Sequence, residues 1–424
     1  MIRALAAAGV LVVASAGPAT GAGLIRVAVV EQARVVEIRG SDVEVMELGR
    51  CDGCRANGPW RTDLVRAVPA PGGIEVDGVR ASGFRLTSGR LLRINGRDYP
   101  PPIEILKSGD TLIVVNELLL EDYLAGVLRA EAGEKFPKEA LRAQAIAART
   151  YAAHQRTIAL GKPFHIIAST AHQQYAGRVA SPSPIWDAVR ETTGQVLLWE
   201  GEVFPAFYHT ESGGYTEDPR TVFAARNMPA LRPVVCPFSV GSPHYYWNLD
   251  IRLADLSEAL RRGGVDVGAV RRVAVTDRTP SLRASSVLVT GTRGSAQMRG
   301  NDFRRMLGYD SFKSTLFAVA IDGELARFTG RGYGHGVGLC QWGAKGMAER
   351  GHSARQILEF YYPGTTFGVL NDAPANGGRE LGDGGTAGSA LAGGRVLGGR
   401  WPLERAGGAL AGGLGGRPEP PNSR

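Results

Sequence analysis

Three stretches carry side chains that can do chemistry. The first, Gly126 to His154, reads GVLRAEAGEKFPKEALRAQAIAARTYAAH and contains Glu131 just before a glycine break. Leu120, Leu124, Val127, Leu128 and Glu131 share one helical face at i, i+3, i+4 spacing, so the carboxyl is predicted to point where leucines and valine point. Burying an unpaired charge is costly, so an acid on such a face reaches either a cleft or a buried partner. In a cleft, burial would raise its pKa and suit it to donate and accept a proton near neutral pH. The alternative is a terminal solvent-facing acid, or a salt bridge to Arg129 or Arg142. Periodicity alone leaves these open, because perturbed acids arise in both settings.

The second stretch, YHTESGGYTE, places Tyr208, His209 and Ser212 around a diglycine. His209 can position a substrate or assist proton transfer. Ser212 lacks the G-x-S-x-G surroundings of a hydrolase nucleophile, so a structural or substrate-positioning role is favoured. Tyr208 and Tyr215 can meet sugar rings or pack in a core. The third stretch, GRGYGHGVGLCQWGAKGM from Gly330 to Met347, contains His335, Cys340, Gln341 and Trp342. Its glycines can bring backbone amides close to a substrate. The Gly-Lys-Ser/Thr ending of a P-loop is absent, and so is a strand–G-x-G-x-x-G dinucleotide arrangement. His335 can bind a polar ligand or brace the loop, and Gln341 can offer an amide to a sugar. Trp342 can stack on a carbohydrate or pack internally. Cys340 has no evident activating partner.

The elements that position these residues follow from pattern. Alternating β-branched runs predict strands through residues 25–108, with a further strand over Thr111–Asn116. A helix is predicted from Leu119 or Leu120 toward Glu131, with Glu121 and Asp122 in a solvated first turn. Gly133 ends it, and Pro137 opens a second helix whose alanines surround its axis. On that helix Gln144 is expected to make a buried hydrogen bond and Arg149 to be a solvated surface charge. A hairpin of Val196–Trp199 and Val203–Phe207 is expected to deliver Tyr208 and His209. Residues 248–310 read as an inserted α/β subdomain. There DRTPSLRASS is a connection, and Arg271, Arg272 and Arg278 can bind an anionic chain or form a charged surface face.

Composition narrows the function classes. The 424-residue chain has 44% hydrophobic residues and a net charge of +8, which suits an anionic polymer or envelope surface. Its arginines form no long block, and no homeodomain-like pattern, zinc finger or basic zipper is found, so no nucleic-acid partner is expected. Residues 1–22, MIRALAAAGVLVVASAGPATGA, have the form of a secretory signal peptide, and their apolar run is short for a membrane anchor. An exported protein in the periplasm or cell wall is expected, without stable transmembrane insertion after cleavage. Cys51 and Cys54 can form a small disulfide, half a zinc site or a redox pair; a site built from paired CxxC motifs is excluded. Spacing leaves pairing of Cys236 with Cys340 open. His165 and His172, seven residues apart, are weak as metal ligands, and no metal or cofactor is expected.

The blocks GVLRAEAGEKFPKEALRAQAIAARTYA, YHTESGGYTE and GRGYGHGVGLCQWGAKGMA, together with the closing ILEFYYPG, resemble the SpoIID/LytB family over roughly residues 25–370. The resemblance implies peptidoglycan glycan strands as substrate and a lytic transglycosylase reaction between N-acetylmuramic acid and N-acetylglucosamine. It places the catalytic glutamate on Glu131 and suggests that Tyr208, His209, Ser212, His335 and Gln341 line or support the groove. Zinc-binding relatives carry a cysteine beside the histidine that aligns with His172. Gln173-Gln174-Tyr175 stands there instead, so no zinc site is carried over. The family also includes amidase enhancers, which implies an alternative: a noncatalytic wall-binding module acting with a cell-wall amidase.

The expected fold is α+β, a mixed helical and β core with an N-terminal β-rich region. The expected organisation is a signal peptide over 1–22, a β-rich domain over 25–108, core segments over 109–247 and 311–370 flanking the 248–310 insertion, and a flexible Gly/Pro-rich tail over 371–424.

Overall fold

The computed structural model describes residues 23–49, 58–223 and 227–370. The expected export segment, Cys51, Cys54 and the Gly/Pro-rich tail lie outside the described residues. The architecture is the expected α+β, with a β-rich N-terminal region followed by mixed helices and short strands. Among the described residues no helix is long and apolar enough to cross a membrane.

Among the described residues an eleven-stranded sheet comes first. Its first strand, Leu24–Ala33, pairs antiparallel with Thr111–Leu119, placing Leu24 opposite Leu119. That pairing sets the start of helix α1, Leu120–Glu131, whose first amide donates to the Gly23 carbonyl. No side chain caps α1, so the end of the strand does the positioning. Leu120, Leu124, Val127 and Leu128 are buried as their spacing predicts, against Ile25, Leu118 and other residues of the sheet.

Helix α1 ends where the amides of Ala132 and Gly133 both reach the Leu128 carbonyl, with Gly133 at φ +74°. This left-handed conformation suits a glycine helix terminator. Helix α2, Lys138–Ile158, follows Pro137. Its alanines bury on two sides: Ala145, Ala148 and Ala152 join the first core, while Ala143 and Ala147 join a second with Leu197, Leu339 and Tyr361. Small side chains let one helix wedge between two cores.

Four expectations for this region are corrected. Arg149 is 0% exposed, and its guanidinium grips Glu121 at 2.6 and 2.9 Å. Glu121 is therefore drawn into the helix interface rather than solvated, because a buried guanidinium requires a charge partner. Gln144 is buried, but both ends of its amide lack a hydrogen-bond partner. The hairpin forms over Gln195–Trp199 and Glu202–Val203 only. Pro205 lacks an amide to extend the ladder, and Phe204 and Ala206 enter the second core.

A third core gathers Trp247, Leu256, Val287, Phe303, Phe312 and Phe328 under two three-stranded sheets. It contains the helices Leu253–Arg262 and Gly300–Leu307 and the strands Val270–Arg278 and Ala284–Gly291.

Candidate active site

Glu131 is the last residue of α1 and is half-buried. One carboxylate oxygen accepts the Gln174 amide at 2.8 Å, and the other accepts the Gln341 side-chain amide at 3.3 Å. Burial pushes its pKa above the usual carboxyl value, and the two hydrogen bonds moderate the rise. Neither arginine considered as a partner reaches it: Arg129 pairs with Glu134, and Arg142 with Glu139 and Glu191. The acid thus meets two neutral donors and, among the described residues, no ion-pair partner.

Gln174 is held in place by its neighbours. A Cβ on Gly126 would lie 2.3 Å from the Tyr175 ring, so only glycine lets this loop close onto α1. The Ala176 amide then donates to the Gly126 carbonyl, and the buried Tyr175 hydroxyl reaches Asn116 at 3.2 Å. Gln173 accepts from the Tyr123 hydroxyl and donates to the Ala148 carbonyl. The sequence offers residues 165–178 as a loop that could approach a site with a Gln–backbone network, but gives no role to Tyr123 or Tyr175. Gly126 was the available signal, since a glycine inside a helix costs about 1 kcal/mol relative to alanine and implies a packing reason.

Gln341 arrives from the glycine-rich block. Tyr208–His209 pairs in parallel with Leu339–Cys340, and the helix Gln341–Glu349 starts directly afterwards. Successive strand residues face opposite ways. Tyr208 accordingly turns toward Tyr123 and Glu131: burial first, then the Glu131 charge, pushes its hydroxyl pKa well up. His209 turns the other way, its ring 5.5 Å from that of His335.

The residues expected in one groove therefore form two groups. Glu131, Tyr208 and Gln341 make the first. His209, Ser212 and His335 make the second, around buried Arg283. The His209 Nδ1 lies 3.1 Å from the Val337 carbonyl, and burial pulls the ring pKa well down, helped by His335 and Arg283. His335 accepts the Val337 amide, and burial pulls its pKa down to about 3, so both rings are neutral. The Ser212 hydroxyl accepts from Gly214, while its carbonyl takes an Arg283 N–H at 2.7 Å. Glu217 accepts from Thr279 and Ser281, so the stretch expected to be a plain connection carries a buried polar network.

The glycines of the third block serve close packing. A Cβ on Gly336 would meet the Arg283 guanidinium at 2.6 Å, and one on Gly338 the Phe207 carbonyl at 2.0 Å. Cys236 and Cys340 are buried free thiols. Cys340 accepts the amides of Ser212 and Gly343, yet burial first, then Cys236, pushes its pKa well up, which disfavours a thiolate nucleophile. His165 and His172 accept backbone amides of Arg26 and Ile167. Among the described residues no group of three or more His, Cys, Asp or Glu side chains could hold a metal ion. Arg271, Arg272 and Arg278 line an open cavity of about 590 Å³ beside the third core, where Arg278 is tied to the Leu282 and Phe317 carbonyls.

Comparison with known proteins bears on this geometry. A family model described as stage II sporulation protein matches residues 108–199, the stretch that holds Glu131. The stage II sporulation protein D of Bacillus amyloliquefaciens is 31% identical over 269 residues, covering 59% of this chain and 74% of that one. The chain belongs to the SpoIID/amidase-enhancer family. An uncharacterized protein of Brachyspira hyodysenteriae is 31% identical over 290 residues, covering 68% of this chain and 77% of the relative. A Bacillus subtilis protein named amidase enhancer is 29% identical over 291 residues, and there the match spans only 40% of the relative. Residues 239–338 match a model for a domain of unknown function, so this SpoIID-family chain carries a second recognisable unit around the third core.

Proposed function

We propose that this SpoIID-family protein is an exported peptidoglycan lytic transglycosylase that uses Glu131 as its single general acid and base. The observation that carries the reading is the Glu131 carboxyl itself: half-exposed, raised in pKa by burial, and oriented by two neutral N–H donors. Protonated Glu131 donates to the glycosidic oxygen as the bond from that oxygen to the muramic C1 breaks. The resulting carboxylate then takes the proton of the muramic C6 hydroxyl as that oxygen bonds to C1. The acid is regenerated, no water is consumed, and a 1,6-anhydromuramic end is left. One carboxyl suffices because the second nucleophile belongs to the substrate, whereas an ordinary two-carboxylate glycosidase requires another acid. Tyr208 and Gln341 border the carboxyl, and Gln341 lowers the cost of its ionised state.

The likeness to a protein named amidase enhancer favours a second reading, a noncatalytic peptidoglycan-binding partner of a cell-wall amidase. Digestion of purified peptidoglycan, and of glycan strands stripped of stem peptides, separates the two. Anhydromuramic ends released by the wild type and not by Glu131→Gln are expected. Stimulation of an added amidase equally by both proteins, without such ends, would establish the second reading. Reducing muramic ends would point to hydrolysis.

A further inference from the structure

A chain of ring contacts links Phe136, Trp342, His244 and Tyr333. Phe136 lies in the turn between α1, which ends at Glu131, and α2, and Trp342 directly follows Gln341 at the start of its helix. Their ring centroids are 5.8 Å apart. His244 lies 6.0 Å beyond Trp342, and Tyr333 5.5 Å beyond His244. Each contact is edge-to-face, and all four side chains keep partial exposure. Phe136 is only partly buried against the first core, and Trp342 belongs to none of the three cores. Half-exposed aromatic rings in sequence-distant segments are more informative than single exposed apolar side chains.

Two cations border the row. The Lys345 ammonium is 5.1 Å from the Trp342 centroid, and that of Lys313 is 5.7 Å from the Tyr333 centroid. The Tyr333 hydroxyl bonds to Asp310 at 3.0 Å, which fixes the ring at the far end. Lys345 is engaged with Glu349 at 2.5 Å, which leaves Lys313 as the cation able to meet a ligand carboxylate.

We infer that Phe136, Trp342, His244 and Tyr333 form a linear run of sugar-stacking positions on one side of Glu131. The occupant is a glycan strand, and the inference rests on the reading that Glu131 meets such a strand. Pyranose rings present apolar C–H faces that suit aromatic surfaces, while their hydroxyls stay in water. Each centroid step is comparable with the advance of one sugar along an extended β-1,4 chain. Trp342 then serves the position beside the reacting bond, and Tyr333 a position two steps further along. Lys313 at the far end suits the carboxylates of muramic lactyl groups or stem peptides.

The test measures binding rather than cleavage. The full chain carrying Glu131→Gln is titrated with a short and a long β-1,4-linked N-acetylglucosamine oligomer. Trp342→Ala is expected to weaken both about tenfold, and Tyr333→Ala to weaken only the long oligomer by a similar factor, which corresponds to about 1.4 kcal/mol. Tyr333→Phe keeps the ring and is expected to bind as the parent does, whatever the lost Asp310 contact does to thermal stability. Unchanged binding of the long oligomer in Trp342→Ala and Tyr333→Ala, or no binding by the parent, overturns the row. So does a loss in Tyr333→Phe equal to that in Tyr333→Ala. Failure of the transglycosylase reading looks different: oligomer binding would respond to these substitutions while the wild type released no anhydromuramic ends.

Discussion

On the first sheet, Arg26 and Arg85 each bridge both Glu104 and Glu117, with four contacts of 2.5 to 2.8 Å. At the end of α1, Glu131 meets, among the described residues, two neutral donors and no cation. Both regions take carboxyls partly out of water. In the sheet, burial pulls Glu117 upward, but Arg85 and Arg26 outweigh it and hold the group below its ordinary range. At Glu131 burial prevails. Pairing with arginines braces the strands and favours the ionised form of Glu117, whereas burial without a cation favours the protonated form of Glu131. The same residue type therefore serves structure in one region and is suited to proton transfer in the other.

Glu131→Gln gives the sharpest test of that contrast. It is expected to reduce release of anhydromuramic ends by about 10²–10⁴-fold, the usual scale of general acid–base catalysis, with the circular-dichroism spectrum retained. Cleavage at wild-type rate would place Glu131 with the structural acids. In the sheet, Glu104→Ala removes a partner from both arginines. A loss of about 2 kcal/mol in denaturant unfolding is expected, below the range for a wholly buried pair because the arginines keep some exposure. Glycan cleavage per folded molecule should not change.

The pH dependence of stability separates the regions by sign. A carboxyl raised in the fold contributes stability that is complete below its unfolded value near 4.5 and is lost as pH rises through the folded value. Glu117, lowered in the fold, contributes above its unfolded value and loses that contribution as pH falls through the folded one. Unfolding of Glu131→Gln should thus match or exceed wild type at neutral pH, with the gain vanishing in acid. A gain that persisted undiminished in acid would contradict the raised value. The smallest effect is expected from Gln341→Ala. Removing an N–H that favours the ionised carboxyl should move the alkaline limb of the cleavage profile upward, and a downward move would break the account.

Much of the fold was legible because local pattern and tertiary burial agree. Leu120, Leu124, Val127 and Leu128 bury where 3.6-residue spacing puts them, and Gly133 and Pro137 mark the two helix boundaries. Arg149 was misread because an arginine in an alanine-rich helix looks solvated until its Glu121 partner on another helix is known. Tyr208 and His209 were expected to line or support one groove because both stand in a block that carries the family resemblance. Strand alternation sends them to opposite sides, an outcome that depends on the two-residue pairing with Leu339–Cys340.

The sequence by itself determined that Glu131 sits on an apolar helical face at a glycine stop, since helical periodicity and terminator chemistry are local properties. It also carried the three blocks that mark the family. Only the tertiary structure decided what the carboxyl meets. Gln174 is 43 residues away and Gln341 is 210, and no local rule couples positions so distant. Gly126 admits Tyr175, that packing carries Gln174 to one oxygen, and a strand pair carries Gln341 to the other. The pKa of Glu131 is set by that enclosure, because desolvation depends on every chain segment that closes around the group.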